Sequence, residues 1–397
     1  MALFAQGCCM FRLASEFCSK LPDSTLATLA LLQLPGVGCA RYWQLMQRFG
    51  SASALLHLSE YQLAEAFKGE AKNLWANFCS NPQHSRLGER LQRTLHHLIE
   101  LNIELLAYGD INYPELLRQI SRPPALLYLR GDSSCLELPQ IGIVGSRRPS
   151  PIGLNNAKYF ARQLVQQGFA ITSGLALGVD AAAHAGALQG DGKTLAVLGT
   201  GLDCIYPRQN QKLVENILAA DGLLVSEFSL GCEARPGNFP QRNRIISGLS
   251  LGVLVVEAAA KSGSLITARL AAEQGREVFA LPGSIHCPVS HGCNGLIRQG
   301  ATLVESTEQM MEEMQGLLAL KAEQLSLLPS PASRPMPESV ISTKQRKLLK
   351  YLGYDITSLD TLAERSDMDT GVLLAELMVL ELSGVISQVA GGYLRVK

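Results

Sequence analysis

Four short apolar segments, each running straight into a turn of small residues, constrain the fold of this chain more than any other feature. The segments are IGIV (141–144), FAIT (169–172), TLAVL (194–198) and VFAL (278–281). The turns that follow are Gly145-Ser146-Arg147, Ser173-Gly174-Leu175, Gly199-Thr200-Gly201 and Pro282-Gly283-Ser284. Short buried strands alternating with helix-length stretches specify an α/β fold, an extended Rossmann-like parallel sheet with helices on both faces. Loops at the carboxyl ends of neighbouring strands converge on one crevice in such a sheet. Small residues let backbone N–H groups approach an anion closely, and helix N-termini add partial positive charge. The expected ligand is therefore one that carries phosphate.

At 397 residues the chain is long for one domain, and its 47% hydrophobic content supplies substantial cores. No apolar run is long enough to span a bilayer, and the first residues lack a basic start followed by an apolar stretch. The ten cysteines form no CxxC pair, which fits a reducing cytoplasm. Net charge is zero overall but uneven along the chain. Residues 141–304 hold 14 Lys and Arg against 10 Asp and Glu, a net of +4, whereas 305–397 hold 9 against 13, a net of −4. The segment with the small-residue turns is thus the basic one, and a focused basic crevice attracts nucleic acid even on a neutral protein.

Four regions are expected. Residues 1–104 read as a helical domain with an N-terminal extension, its apolar face carried by Leu26, Leu29, Ala30 and Leu32. Within it, Leu34-Pro35-Gly36-Val37-Gly38 is either a helix-hairpin-helix turn or an ordinary tight turn. Residues 105–315 hold the Rossmann-like unit; ALLYL (125–129) reads as its first, edge strand, and a polar helix with Glu308, Glu312 and Glu313 on its surface starts at 305. Residues 316–339 are a Pro/Ser-rich linker. Residues 340–397 give three helix patterns and two short strands around Gly391-Gly392, a winged-helix arrangement. The third of those helices carries Asp369, Glu376 and Glu381 with no Lys or Arg, which favours a protein contact over a DNA groove.

The candidate binding residues lie on the turns. Gly145, Ser146 and Arg147 open a helix near Pro151, and a guanidinium there can grip a phosphate through two parallel bonds. Ser173 and Gly174 offer hydroxyl and amide donors, and Gly199, Thr200 and Gly201 form a phosphate turn. That last turn is no dinucleotide fingerprint, because Cys204 stands where a third glycine belongs. In EARPGNFPQRNRIISGLS (233–250), Arg235, Phe239, Arg242, Asn243 and Arg244 combine a ring with cations. Single-strand binding needs that combination, one group to stack a base and others to hold the backbone, although Phe239 could equally serve the core. Lys261, Ser262 and Ser264 in KSGSLIT could cradle another phosphate at a helix start. The P-loop pattern is missing, so no ATP hydrolysis is expected.

Two groups invite a metal. Asp180 and His184 are four apart on one helix face, which suits a metal pair or, with only two local ligands, a helix-internal salt link. His286, Cys287, His291 and Cys293 fit no common zinc spacing and read as a loop. The expectation is no metal and no cofactor.

GIVGSRRPSPIG, ITSGLALGVDAAAH, LAVLGTGLDCIYP, ARPGNFPQRNRIISGLS and EAAAKSGSLITARLAAEQGREVFALPGS, followed by GCNGLIRQGA, occur in that order. They closely resemble the DNA-processing protein A family, DprA, also called Smf. The helical start looks like that family's sterile-alpha-motif-like domain and the end like its winged-helix domain. The resemblance implies a non-enzymatic single-stranded DNA-binding protein of natural transformation. It also implies loading of RecA recombinase onto incoming strands, and dimers formed through the Rossmann-like domain. The implied phosphate contacts are Arg147, Ser173-Gly174, Gly199-Thr200-Gly201, and Arg242 to Arg244 with Lys261, with Phe239 as a stacking ring. The first 24 residues have no counterpart. A weaker similarity links the chain to nucleotide phosphoribohydrolases, in which Glu257 would be the acid, but their Pro-Gly-Gly-x-Gly-Thr motif is reduced here to Leu281-Pro282-Gly283-Ser284.

Overall fold

The computed structural model describes residues 21–314 and, in the tail, 348, 351–352, 359–366, 368, 373, 376–377, 380, 386–389 and 392–395. The chain divides into two compact units, Met1–Ala319 and Leu320–Lys397. Among the described residues no helix is long and apolar enough to cross a membrane.

Among the described residues five helices come first: α1 (Asp23–Leu32), α2 (Cys39–Phe49), α3 (Glu60–Ala66), α4 (Gly69–Ser80) and α5 (Arg86–Glu100). Ser59 and Gln62 cap α3 reciprocally, which satisfies two N–H groups that the helix start would otherwise leave unpaired. In α5 the Ser85 hydroxyl accepts from the Gly88 amide, and Leu87, Leu91, Leu95 and Leu98 form a single buried stripe. The hairpin between α1 and α2 has Gly36 at φ 77°, a left-handed conformation that costs glycine little, while the Val37 side chain is buried.

The sheet has nine strands: β1 (Glu104–Ala107), β2 (Leu126–Gly131), β3 (Gln140–Val144), β4 (Ala170–Ser173), β5 (Thr194–Val197), β6 (Leu223–Ser226), β7 (Gly252–Val255), β8 (Glu277–Ala280) and β9 (Thr302–Leu303). Their order is β1-β2-β6-β5-β4-β3-β7-β8-β9. From β6 through β9 all neighbours are parallel, whereas β2 runs antiparallel to both β1 and β6. ALLYL is therefore neither first nor at the edge. The edge is β1, a four-residue strand that follows α5 almost directly. The strand order reverses between β3 and β7, and this is where a doubly wound sheet opens its crevice.

Seven helices connect these strands: α6 (Glu115–Arg118), α7 (Pro151–Gln166), α8 (Val179–Gln189), α9 (Gln211–Ala219), α10 (Asn238–Leu249), α11 (Ser264–Glu273) and α12 (His291–Arg298). Side chains alternate between faces along each strand. Ile141, Ile143 and Leu254 pack with Ala157, Phe160 and Leu164 of α7 and Val179 and Ala183 of α8 on one face. Val144, Val253 and Val255 pack with Ile245 and Leu249 of α10 and Ala268 of α11 on the other. The N-terminal helices have no separate interior. Leu26, Leu29, Trp75 and Leu91 share one core with Tyr128, Ala196, Leu198 and Leu224 of the sheet. The helix beginning at Thr307 buries Met310 and Met314 and exposes Glu308, Glu312 and Glu313.

In the second unit, Leu359–Ser366 is a helix, and Ile386–Val389 pairs antiparallel with Gly392–Arg395. Leu348, Leu362, Leu373, Leu377, Ile386 and Tyr393 form its core. The expected linker 316–339, the first 20 residues and most of the acidic helix pattern lie outside the described residues.

His184 is expected to make the fold sensitive to acid. It is fully buried on α8, and the Thr194 hydroxyl donates to the Ile171 carbonyl, so Nδ1 of His184 donates to that hydroxyl at 2.7 Å. Burial pulls the imidazole pKa down to about 3, with the Arg242 charge adding to the effect. An unfolded histidine titrates near 6.5, so between these values the unfolded chain binds the extra proton. Stability then rises with pH by up to about 1.4 kcal/mol per unit across that window, and is complete above it. We expect His184→Gln to flatten the decline in urea midpoint between about pH 6.5 and 4; an unchanged decline would assign the acid sensitivity to other groups.

Candidate nucleic-acid interface

The reversal between β3 and β7 opens a crevice of about 660 Å³. Gly145, Ser146 and Arg147, after β3, form one wall, and Lys261, Ser262, Gly263 and Ser264, after β7, form the opposite one. Phe239, Pro240, Arg242 and Asn243 enter from the first turns of α10, Tyr206 from the loop after β5, and Asp180 from α8. Three cations and one carboxylate line this space, giving it a formal charge of +2.

Each wall has a local cause. The Ser146 amide donates to the Glu257 carbonyl at 2.7 Å and its carbonyl accepts from Val179 at 3.1 Å, which leaves the Arg147 side chain pointing outward and exposed. The Arg147 guanidinium lies 5.6 Å from the centroid of the Phe239 ring, a cation–π contact. Tyr206 packs on the same ring at 5.6 Å, tilted by 44°. Phe239 is held from behind, because a Cβ on Gly199 would come within 3.0 Å of its Cδ1, and Asn238 Nδ2 donates to the Gly199 carbonyl at 3.0 Å. On the facing wall the Ser262 and Ser264 hydroxyls bond each other at 2.7 Å where α11 begins, and Lys261 is exposed beside them. The start of α11 adds the positive end of a helix dipole.

Arg242 lies deepest. It is 3% exposed and crosses Gly174, where a Cβ would fall 1.4 Å from its Nη1, so a side chain at that position would have to displace the guanidinium. Burial lowers its pKa to about 10, with the Asp180 carboxylate opposing the shift, and it stays charged at neutral pH. Asp180 accepts from the Gly174 and Ala176 amides at 3.2 and 3.3 Å; burial raises its pKa, against Arg242 and those two amides.

Of the sixteen candidate residues, nine line the crevice: Gly145, Ser146, Arg147, Phe239, Arg242, Asn243, Lys261, Ser262 and Ser264. The rest lie behind or beside it. Ser173 is buried and its hydroxyl donates to the Ile143 carbonyl. The Gly199-Thr200-Gly201 turn is buried, and the Gly201 amide donates to the Cys232 carbonyl, so the turn supports Phe239 from below. Arg235 is exposed outside the lining. Arg244 points away: it is paired with Glu227, donates to the Arg122 carbonyl at 2.6 Å, and has a side chain only 12% exposed. The Pro282-Gly283-Ser284 turn also faces elsewhere, its Gly283 amide and carbonyl bonded to the Asn294 side chain.

Three further readings change. Asp180 and His184 form neither a metal pair nor a helix-internal salt link, since each takes other partners. His291 starts α12 and Cys293 is buried on it, so only the first part of that expected loop is loop. Among the described residues no three or more His, Cys, Asp or Glu side chains are grouped so as to hold a metal ion. Glu257 accepts from the Ser150 hydroxyl at 2.5 Å and the Ser150 amide at 2.8 Å at the start of α7, so its carboxylate anchors a helix. Sequence reasoning also passes over Tyr206, whose signal is an aromatic residue directly before a proline in a loop beyond a strand.

Residues 104–315 match the family model described as DNA recombination-mediator protein A, a span that contains the entire crevice. The chain belongs to this family. Residues 330–392 match the DprA winged helix domain, in agreement with the helix and paired strands of the second unit. The chain is 43% identical over 312 residues to protein Smf of Escherichia coli, covering 77% of this chain and 79% of that one. It is 42% identical over 226 residues to the DNA processing protein DprA of Bacillus subtilis, covering 57% and 76%. The crystal structure of DprA from Streptococcus pneumoniae superposes with a TM-score of 0.60 at 34% identity, over 73% of this chain and 98% of that one. This chain thus carries the Rossmann-like sheet and a winged-helix match together.

Proposed function

We propose that this chain is a non-enzymatic recombination mediator that binds single-stranded DNA across the β3/β7 crevice and delivers it to a RecA-type recombinase. We assign it to the cytoplasm, as a homodimer formed through the Rossmann-like unit. The observation that carries the reading is the Arg147–Phe239–Tyr206 cluster facing Lys261. Exposed cations hold phosphates, and a ring beside them stacks a base that has left its partner. Bases paired within a duplex present edges in the grooves and do not reach such a ring. The enzymatic alternative loses its candidate acid, because Glu257 is spent on the start of α7.

Fluorescence anisotropy with single- and double-stranded oligonucleotides at several salt concentrations tests this. We expect tighter single-strand binding, with log K falling against log salt by about 0.7 per phosphate neutralised. Equal affinity for both forms, or no salt dependence, would overturn the proposal. Phe239→Ala separates the two kinds of contact: it should weaken binding by about 1–3 kcal/mol, the cost of one lost stack, and leave the salt slope unchanged. A shallower slope for that variant would mean that the ring acts only by positioning Arg147.

A further inference from the structure

We propose that the outer face of α7 is a second contact surface for single-stranded nucleic acid, which takes the strand as it leaves the crevice; this rests on the crevice reading above. The helix starts four residues after Arg147, and its 16 residues extend roughly 24 Å at about 1.5 Å each. Its exposed residues from the second position onward are Ile152, Asn155, Tyr159, Arg162 and Gln166, spaced three and four apart, so they form one stripe from the crevice rim downward. Ile152 is 70% exposed and Tyr159 52%, an apolar load that the fold leaves in water.

The charges along this stripe have one sign. Arg148 is exposed just before the helix, Arg162 lies within the stripe, and Lys158 lies beside it, whereas PIGLNNAKYFARQLVQ contains no Asp or Glu. Among the described residues none of these three cations forms an ion pair. Glu257, under the first turn at Gly153, is already bonded to Ser150, and the exposed Asp191 follows Gly190, which packs against the Arg162 stem at the far end. A plain solvated helix face mixes both signs. A ring and cations spaced along a line without an acid match a polyanion whose bases are free to stack.

The test compares oligothymidines of about six and about twenty nucleotides, one filling the crevice alone and one long enough to continue along α7. We expect Tyr159→Ala with Arg162→Ala to weaken the long oligonucleotide about tenfold, lower its salt slope by about 0.7, and leave the short one within about twofold. Equal weakening of both lengths, or of neither, would overturn the second surface. Arg147→Ala with Lys261→Ala serves as the control for the crevice. If that variant binds both lengths normally while the α7 variant loses the long one, the crevice assignment fails and the α7 surface stands.

Discussion

Arg147→Ala combined with Lys261→Ala is expected to weaken single-stranded DNA binding about a hundredfold or more. Charge-assisted contacts contribute about 1.5–3 kcal/mol each, and these two side chains face one another across the crevice. Both are exposed, and neither forms an ion pair among the described residues, so their removal should change folding stability by no more than about 1 kcal/mol, most of it the cation–π contact of Arg147 with Phe239. A gel shift at near-physiological salt, together with a thermal melt, reads both quantities. A well-folded double variant that still shifts the oligonucleotide would place the binding surface elsewhere.

Arg244→Ala should do the reverse, lowering stability while sparing the crevice. Its guanidinium and the Glu227 carboxylate are buried together, with side chains 12% and 6% exposed. Removing one partner of such a pair leaves an uncompensated charge and costs about 3 kcal/mol or more. Glu227 already has a raised pKa from burial, which Arg244 counteracts. Without Arg244 the folded state takes up the proton more readily than the unfolded chain does, so the variant loses stability as pH rises through the folded-state value. Its deficit should therefore shrink as pH falls toward the ordinary glutamate value of about 4.3. Urea denaturation at neutral and at acid pH measures this, and Glu227→Gln added to Arg244→Ala should restore part of the loss at neutral pH. A deficit that is small, or that does not depend on pH, would show that the pair is not what holds this corner.

The contrast between these arginines marks where sequence reasoning stops. Arg242 and Arg244 look like a pair in NFPQRNRIISG. Two residues on a helix are about 200° apart, so one guanidinium descends over Gly174 while the other reaches Glu227 on the opposite side. The strands IGIV, FAIT, TLAVL and VFAL are legible because parallel strands buried on both faces are continuous apolar runs. β1 is harder to see, since four residues after a long amphipathic helix read as a continuation of it. The hierarchy among the small-residue turns depends on strand order. Four turns look equivalent along the chain, yet only Gly145-Ser146-Arg147, beside the β3/β7 reversal, opens onto the crevice, and no local pattern encodes which strands become neighbours across it. Arg147, Phe239, Asn243 and Lys261, chosen from the sequence for their chemistry, do line the crevice. Tyr206 lines it as well, though its sequence signal, an aromatic residue before a proline, is shared by many loops.

The interior that Trp75, Leu91 and Leu26 share with Tyr128, Ala196 and Leu224 means that the five leading helices roof the sheet. Lifting that roof would wet both surfaces at once, at about 25 cal/mol for each Å² uncovered. The crevice rim is thereby braced by residues that do not line it, and the consequence of that shared interior is that the leading helices cannot swing as an independent arm.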